Sequence, residues 1–207
     1  MQILHHQEIA GWDRIRRANF VNTLSGFKSA SMIGTINQQG EHNLALISNI
    51  VHLGADPSLI GYINRPRAAT PHTLQNIETT GTYTVNHIHP DLIRAAHQTS
   101  AKYADGISEF KATGLTPVFE SGCNAPFVKE SNIGYALQLE EIVPIKQNGT
   151  FLVIGKLLFA RFPEHLLNPD GFLDLEAANS VASLGLDAYY SCIQLNRFPY
   201  ARPSETR

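Results

Sequence analysis

The chain has 207 residues, of which 43% are hydrophobic, and a formal net charge of −2. Its 16 lysines and arginines are spread along the sequence, which argues against a nucleic-acid-binding surface. No apolar run approaches the roughly 20 residues that cross a bilayer, and no basic and apolar signal segment opens the chain, so we expect a cytoplasmic protein that does not enter membranes.

One domain over residues 1–207 is the expectation, because the length suits a single core and no linker interrupts the sequence. The two cysteines, Cys123 and Cys192, are far apart and predict free thiols. The nine histidines lack the tight spacing of metal ligands, so we predict no metal site.

The first part of the chain predicts a helix and then strands. Apolar residues recur at helical spacing over residues 8–25, and Gly26 stands where a C-terminal cap is expected. Residues 30–37 and 43–51 predict a hairpin around a Gly-containing turn, and residues 59–63 predict a further strand.

Further helices and strands are predicted beyond this point. Thr70 is a suitable N-cap for a helix that has Pro71 in its first position and closes at Gly81. The remaining predictions are a strand at 82–85, a helix at 90–103, an irregular stretch at 105–116, paired strands at 133–143 and 151–159, a helix at 175–181 and an extended tail at 200–203.

The loop that precedes this central helix combines cations with short hydroxyl donors. Arg65, Arg67, Thr70, His72 and Thr73 surround the predicted helix start. Because the first N–H groups of a helix have no intrahelical partner, such a start is suited to an anion such as phosphate. An ordinary capped helix beside a solvated basic loop explains the same residues about equally well.

An ordered series of short motifs runs through residues 25–160. The motifs are Gly26-Phe27-Lys28-Ser29-Ala30 with Ile33-Gly34-Thr35, Asn43-Leu44-Ala45 with Ser48-Asn49, Arg65-Pro66, His72-Thr73 with Asn76-Ile77, Val85-Asn86-His87, residues 96–103, Ser108-Glu109-Phe110, residues 125–131 and Val153-Ile154-Gly155-Lys156. In this order and spacing they resemble the flavin-reductase-like family, whose members are FMN-binding split β-barrels, and the resemblance is weaker in the last quarter of the chain.

The resemblance implies a mainly β fold, an antiparallel Greek-key split β-barrel with short peripheral helices. Its core would span residues 25–160, and the C-terminal segment would wrap the barrel or a partner subunit. It also implies a homodimer that binds FMN and takes hydride from NADH or NADPH.

The resemblance also implies which residues contact the cofactor. The flavin ring would lie along Ser48, Asn49 and Ile50, while the loop and helix start would hold the ribityl chain and phosphate. The residues implied for that second part are Asn64, Arg65, Arg67, Thr70, His72 and Thr73, with Asn86 as a further contact.

His97 and Ser100 are additional candidates near the flavin or the nicotinamide, although a His whose ring is hydrogen-bonded to backbone is the commoner case. The family often has a basic residue before the His-Thr pair, whereas this chain has Pro71, which cannot donate a hydrogen bond.

Two functions follow from this interpretation. The first is an NAD(P)H-dependent flavin reductase that passes hydride through FMN to free flavin or another acceptor. The second is an FMN-binding electron-transfer module with little direct NAD(P)H activity, and a barrel without cofactor is a third possibility. Hydride transfer to a flavin needs no protein acid or base, so we predict no catalytic residue. The sequence has no Gly-x-Ser-x-Gly turn, which a serine hydrolase would need, and no Gly-x-Gly-x-x-Gly loop, which would indicate a Rossmann domain.

Overall fold

A seven-stranded antiparallel sheet dominates the structure, a computed structural model that describes residues 1–69, 71–104 and 106–202. The strands are β1 (Lys28–Ser29), β2 (Ser31–Ile36), β3 (His42–Ile47), β4 (Ile50–Ala55), β5 (Ser58–Asn64), β6 (Thr82–His87), β7 (Pro117–Val118), β8 (Phe127–Val128), β9 (Gly134–Ile145), β10 (Thr150–Arg161), β11 (Val181–Leu184) and β12 (Ala188–Ser191). The helices are α1 (His6–Ala10), α2 (Arg14–Leu24), α3 (Pro71–Thr80), α4 (Ile93–Gln98) and α5 (Glu109–Thr113), with 3-10 turns at Pro90–Leu92 and Glu164–Leu166.

The strand order of the large sheet shows that it curls into a barrel. The order is β3-β2-β6-β9-β10-β5-β4, so the two edge strands are consecutive in the chain. A flat sheet would separate them by six strand spacings, roughly 29 Å. The link between Ile47 and Ile50 is three Cα steps and spans at most about 11 Å. The edges therefore meet at the corner formed by Ser48 and Asn49, and the predicted mainly β antiparallel barrel with short peripheral helices is confirmed.

Adjacent residues of β2 face different parts of the core, as the period of two in a strand requires. Ile33 lies in a cluster with Tyr62, Tyr83, Val85 and other buried side chains of the sheet. Its neighbour Met32 lies in a second cluster, to which α4 and α5 contribute buried residues. Both sides of β2 are thus covered, and its first five residues, Ser31 to Thr35, are all buried.

Helix α3 forms where the sequence predicts it. Pro71 occupies its first position, and Gly81 follows its end with a φ of 74° that favours glycine. Leu74 and Ile77 are fully buried among the barrel side chains, so the helix packs on the sheet through one face. The predicted cap, Thr70, lies outside the described residues.

The structure corrects several predicted elements in the middle of the chain. The strand predicted at 43–51 divides into β3 and β4 at the Ser48–Asn49 corner. The helix predicted at 90–103 ends at Gln98, and the stretch at 105–116, predicted irregular, contains α5. These differences arise from contacts between distant segments, which a local pattern does not contain.

Corrections are also needed near both ends. The helix predicted at 8–25 is interrupted, because Asp13 accepts hydrogen bonds from Ile15 N and Arg16 N and so caps a separate α2. The helix predicted at 175–181 is a series of turns that leads into β11. Strand β11 pairs with β1 and β12 in a small second sheet. No helix among the described residues is long and apolar enough to span a membrane.

Candidate functional site

The Ser48–Asn49 corner is held against the end of β5 by the side chain of Asn49. Asn49 Nδ2 donates to Ile63 O at 2.9 Å, and Ile63 N donates to Asn49 Oδ1 at 3.0 Å. Asn49 thus replaces a backbone partner at the point where the strands separate. Ile50 opens β4 and packs against the barrel cluster. Ser48 is half-buried, and its hydroxyl makes no hydrogen bond to any described residue.

The chain leaves β5 beside this corner and enters the basic loop. Asn64 is buried; its Nδ2 donates to Arg65 O at 2.8 Å, and its Oδ1 accepts from the Tyr62 hydroxyl at 3.4 Å. The Asn64 side chain therefore shapes the loop backbone. The Arg65 side chain is exposed and forms no ion pair or hydrogen bond within the described part of the chain.

Arg67 differs from Arg65 because it already has an anionic partner. Its guanidinium forms two hydrogen bonds to the carboxylate of Glu78 on α3 and lies 5.1 Å from the ring centre of Phe151. The hydrogen bonding lowers the pKa of Glu78 and raises that of Arg67. Of the two predicted phosphate ligands, Arg65 is thus open to an anion, whereas Arg67 must leave Glu78 to bind one.

A buried hydrogen-bond cluster fixes the start of α3 to the β2–β3 hairpin. Asn43 Nδ2 lies 3.0 Å from Thr73 Oγ1 and 3.2 Å from Thr35 Oγ1, and Asn76 Nδ2 donates to Thr35 Oγ1 at 3.1 Å. Thr73 accepts in this cluster, so its own proton is still able to serve another partner. His72, the preceding residue, is exposed at the helix start.

Asn86, the further predicted contact, lies in the core. Its side chain is fully buried; Nδ2 lies 3.3 Å from Met32 O and 3.0 Å from Thr84 Oγ1, and Oδ1 accepts from Val128 N at 2.9 Å. Its amide is therefore used to join β6 to β2 and β8. None of its side-chain hydrogen bonds reaches the corner or the basic loop, and its role as a cofactor contact stays a prediction.

The free edge of β3 is covered by side chains from later in the chain. Leu44 N donates to Glu109 Oε2 and Leu46 N donates to Thr99 Oγ1, both at 3.1 Å. These two contacts blunt an edge that would otherwise expose backbone donors. The α4 terminus that carries Thr99 also carries the two remaining predicted residues.

His97 and Ser100 are both exposed on this terminus. His97 Nδ1 lies 2.9 Å from the hydroxyl of Tyr189 on β12, and Ser100 Oγ donates to His97 O at 2.6 Å. The bond from Leu46 N to Thr99 places this terminus beside β3, and Leu46 is two residues before Ser48. Their side chains nevertheless bond within their own segment or to β12.

A cavity of about 500 Å³ opens at the other end of β3, between three polar segments. It is lined by residues of the β2–β3 hairpin, the exposed face of α3 and the start of α5: Asn37, Gln38, Gln39, Glu41, His42, Asn43, His72, Gln75, Asn76, Thr79, Gly106, Ile107, Ser108 and Glu109. The sequence analysis identified only His72 of these as a site residue. The polar Asn37-Gln38-Gln39 run reads as an ordinary turn, so no sequence signal marked the cavity.

The open groups of the site suit a ligand with an anionic end and a polar ring edge. The Ser48 hydroxyl and the Arg65 guanidinium lack described partners, and the loop that carries Arg65 leads into the start of α3. Ser48 can hydrogen-bond a ring edge, and Arg65 can neutralise a phosphate. Among the residues that the structure describes, no group of three His, Cys, Asp or Glu side chains could hold a metal ion.

Comparison with known proteins gives the family. The model of the flavin reductase like domain matches residues 24–176. The crystal structure of a candidate flavin reductase with a split barrel domain from Shewanella frigidimarina NCIMB 400 is 45% identical, covers 97% of this chain and 100% of that chain, and superposes with a TM-score of 0.94.

Two more distant structures share the fold. Nitrilotriacetate monooxygenase component B from Bacillus cereus is 20% identical, with 96% of this chain and 98% of that chain covered and a TM-score of 0.84. The NADH:FAD oxidoreductase of Streptomyces globisporus C-1027 is 11% identical, with 94% and 99% covered and a TM-score of 0.69. The family match over most of the chain and the 45% identical structure agree with the barrel fold, and this chain belongs to the flavin-reductase-like family.

Proposed function

We propose that the protein is an NAD(P)H-dependent flavin reductase that binds FMN at the Ser48–Asn49 corner and the adjoining basic loop. Its coarser character, a flavin-related oxidoreductase, follows from the family. The single observation that supports the finer proposal is the unpaired Arg65 between a half-buried corner and the start of α3. A cation in such a place forms no ion pair with a described residue, so the phosphate of a ligand is its most suitable partner.

In this proposal each side chain has a separate binding task. Ser48 and the backbone from Asn49 to Ile50 orient the polar edge of the ring, and the Asn49 amide keeps that corner rigid through Ile63. Arg65, the start of α3 and the Thr73 hydroxyl bind the phosphate. These residues would hold the flavin, and the flavin would supply the two-electron chemistry that couples oxidation of the reduced nicotinamide to reduction of free flavin or another acceptor.

The nicotinamide donor is the second part of the proposal. A structure of the same fold is named as an NADH:FAD oxidoreductase, and the match supports a donor of this class without distinguishing NADH from NADPH. The protein contributes position rather than proton transfer, since placing two reactants in contact removes much of the entropic barrier.

The proposed active form is a homodimer. Neither α1 nor α2 contains a buried residue, although α2 carries Ile15, Phe20 and Leu24. The C-terminal arm, residues 192–202, has no regular secondary structure, and four of its apolar side chains are exposed: Ile193 74%, Leu195 94%, Phe198 79% and Tyr200 92%. Polar contacts hold this arm in place, because Gln194 N donates to Glu176 Oε2 and the guanidinium of Arg197 bonds the Asp170 carboxylate. Apolar surfaces of this kind mark protein interfaces, and a second copy is the partner that the family implies.

The function is tested by mixing the purified protein with FMN, removing free ligand, and recording an anaerobic visible spectrum before and after NADH and, separately, NADPH. We expect retained yellow colour that bleaches rapidly with one donor or both. Retained colour that bleaches only with dithionite would replace the reductase by the electron-transfer module. Failure to bind FMN in a fluorescence titration, with free ligand still present, would reject the flavin site.

A further inference from the structure

The large cavity beside α3 differs chemically from the proposed phosphate site. One wall is the exposed face of α3, with His72, Gln75 and Thr79 at helical spacing, and the other two are the β2–β3 hairpin and the start of α5. The described lining residues include no lysine or arginine, but they include the two carboxylates Glu41 and Glu109. A phosphate would be repelled here, whereas hydroxyl groups would find strong acceptors.

Both carboxylates are fixed by the protein and still have an unused oxygen. Glu41 Oε2 accepts from Asn37 Nδ2 at 2.7 Å, and Glu109 Oε2 accepts from Leu44 N at 3.1 Å. The Oε1 atom of neither side chain is bonded to another described residue. Such carboxylates are oriented before a ligand arrives, which reduces the entropy lost on binding.

A third group in the wall has no partner although it is buried. The Ser108 hydroxyl has almost no exposed surface and no hydrogen-bond partner among the described residues. Ser108 precedes α5 in the N-cap position, but its side chain makes no capping bond. A buried hydroxyl without a partner costs free energy, and because Ser108 lines the cavity, turning its side chain toward a ligand there would relieve that cost.

We propose that this cavity binds the adenosine part of a nucleotide through an unphosphorylated ribose 2′,3′-diol. Glu41 and Glu109 accept the diol hydroxyls and Ser108 contributes a further hydrogen bond. Ile107, which is 48% exposed, and the imidazole of His42 offer contact surface to the base. An acidic residue on the ribose is the arrangement that admits a free 2′-hydroxyl and disfavours a 2′-phosphate.

Two substrates of the proposed function carry this group, FAD and NADH, whereas FMN lacks adenosine and NADPH carries the 2′-phosphate. The cavity lies along β3 from the Ser48–Asn49 corner, since Asn43 lines it and lies five residue steps before Ser48, about 17 Å along the strand. His72, at the start of α3, lies in its wall. A dinucleotide could therefore extend from the proposed flavin site into the cavity, and this part of the inference rests on the proposed function.

The binding test uses three adenine compounds that differ only at the 2′ position: adenosine, 2′-deoxyadenosine and adenosine 2′-monophosphate. Each is titrated into the full chain, without flavin or nicotinamide, and followed by ligand-observed saturation-transfer NMR. We expect adenosine to bind and the other two to bind about tenfold more weakly, because one loses a bond to a charged acceptor and the other adds a repelled charge.

The variant E41Q/E109Q removes both charges and keeps the shape of the side chains. We expect it to weaken adenosine binding about tenfold, whereas E140Q, a change on the exposed face of β9, leaves it unchanged. The single variant E41Q, on the exposed hairpin, provides a second measurement if the double variant fails to fold. Equal binding of adenosine and its 2′-phosphate, no binding of adenosine, or full binding to both Gln variants would overturn the proposal.

Two further measurements identify the source of the adenosine. If FAD supplies it, E41Q/E109Q weakens FAD binding and leaves FMN binding unchanged. If NADH supplies it, kcat/KM falls for NADH and not for NADPH. If E41Q/E109Q changes neither the affinity for FAD relative to FMN nor the kcat/KM for NADH relative to NADPH, the cavity binds the adenosine of neither substrate. Failure of the proposed reductase function is separate, because it appears in the unmodified protein as a lack of FMN binding or of donor-dependent bleaching while nucleoside binding persists.

Discussion

Two regions of the molecule carry the polar residues of the family motifs, and they use them in opposite ways. Strand β6 contributes Asn86 and His87, whose side chains bond inside the protein. The loop after β5 contributes Arg65, whose charge is exposed and unpaired within the described residues. Both segments look equally polar in the sequence. The difference shows that burial decides whether a polar residue stabilises the fold or stays open to a ligand.

The largest expected effect comes from Asn86→Ala in the buried region. The change leaves the carbonyl of Met32 and the N–H of Val128 without their partner, and each such loss costs about 1–3 kcal/mol. We expect the free energy of unfolding to fall by about 4 kcal/mol in urea titrations. The exposed Asn196→Ala is the control. If the loss is below about 1 kcal/mol, or if the variant folds and specifically loses FMN binding, Asn86 belongs to the ligand site and not to the core.

A pH titration of stability tests the same region through His87. Burial lowers the pKa of His87 to about 4, and its Nδ1 lies 3.0 Å from Ser180 Oγ. Because the unfolded chain binds this proton near pH 6.5, the free energy of unfolding falls as the pH drops from about 6.5 to about 4, by about 3 kcal/mol from this group. His87→Gln should remove that part of the slope, and exposed His52→Gln should not. Equal slopes in all three proteins would contradict the assigned burial.

The open region is tested by Arg65→Ala. We expect FMN affinity, measured by flavin fluorescence, to fall about tenfold or more, since a charge-assisted bond to phosphate is lost. The thermal unfolding midpoint should not change, because this exposed side chain forms no hydrogen bond or ion pair with a described residue. Riboflavin, which lacks the phosphate, is the matched ligand and should bind both proteins equally. An equal loss for riboflavin would show that Arg65 does not act on the phosphate.

Arg67→Ala should have the smallest effect. Arg67 is half exposed and paired with Glu78, and exposed pairs contribute about 0.2–1 kcal/mol to stability. FMN affinity should fall less than with Arg65→Ala, because Arg67 must leave Glu78 before it can bind phosphate. Glu78→Gln separates the ion pair from phosphate binding. It should lower the free energy of unfolding by the same small amount as Arg67→Ala, and it should not weaken FMN binding. A larger affinity loss at Arg67 than at Arg65 would reverse the assignment.

Elements with strong local signals could be predicted from the sequence. The β2–β3 hairpin follows from two β-rich runs around a Gly turn, and the limits of α3 follow from Pro71 and Gly81. The β9–β10 pair likewise follows from alternating runs joined by Asn148-Gly149. Helix α5 carries no comparable signal, since its five residues are held by Phe110 in the core. A helix of this length is stable only through such tertiary contacts.

For the candidate site, the sequence by itself determined which residue types stand together: two arginines, a helix start with Pro71, and the Ser48-Asn49 pair after a strand. Those are consequences of neighbours in the chain. The tertiary structure decided which of them are open. Arg67 is paired because the fold of the loop places it beside Glu78 on α3. Asn86 is buried because the strands β2, β6 and β8 meet around it. The cavity exists because the β2–β3 hairpin, α3 and α5 meet. Each depends on side chains far apart in the sequence, and the free energy of pairing or burying a polar group is determined only when folding brings those side chains together.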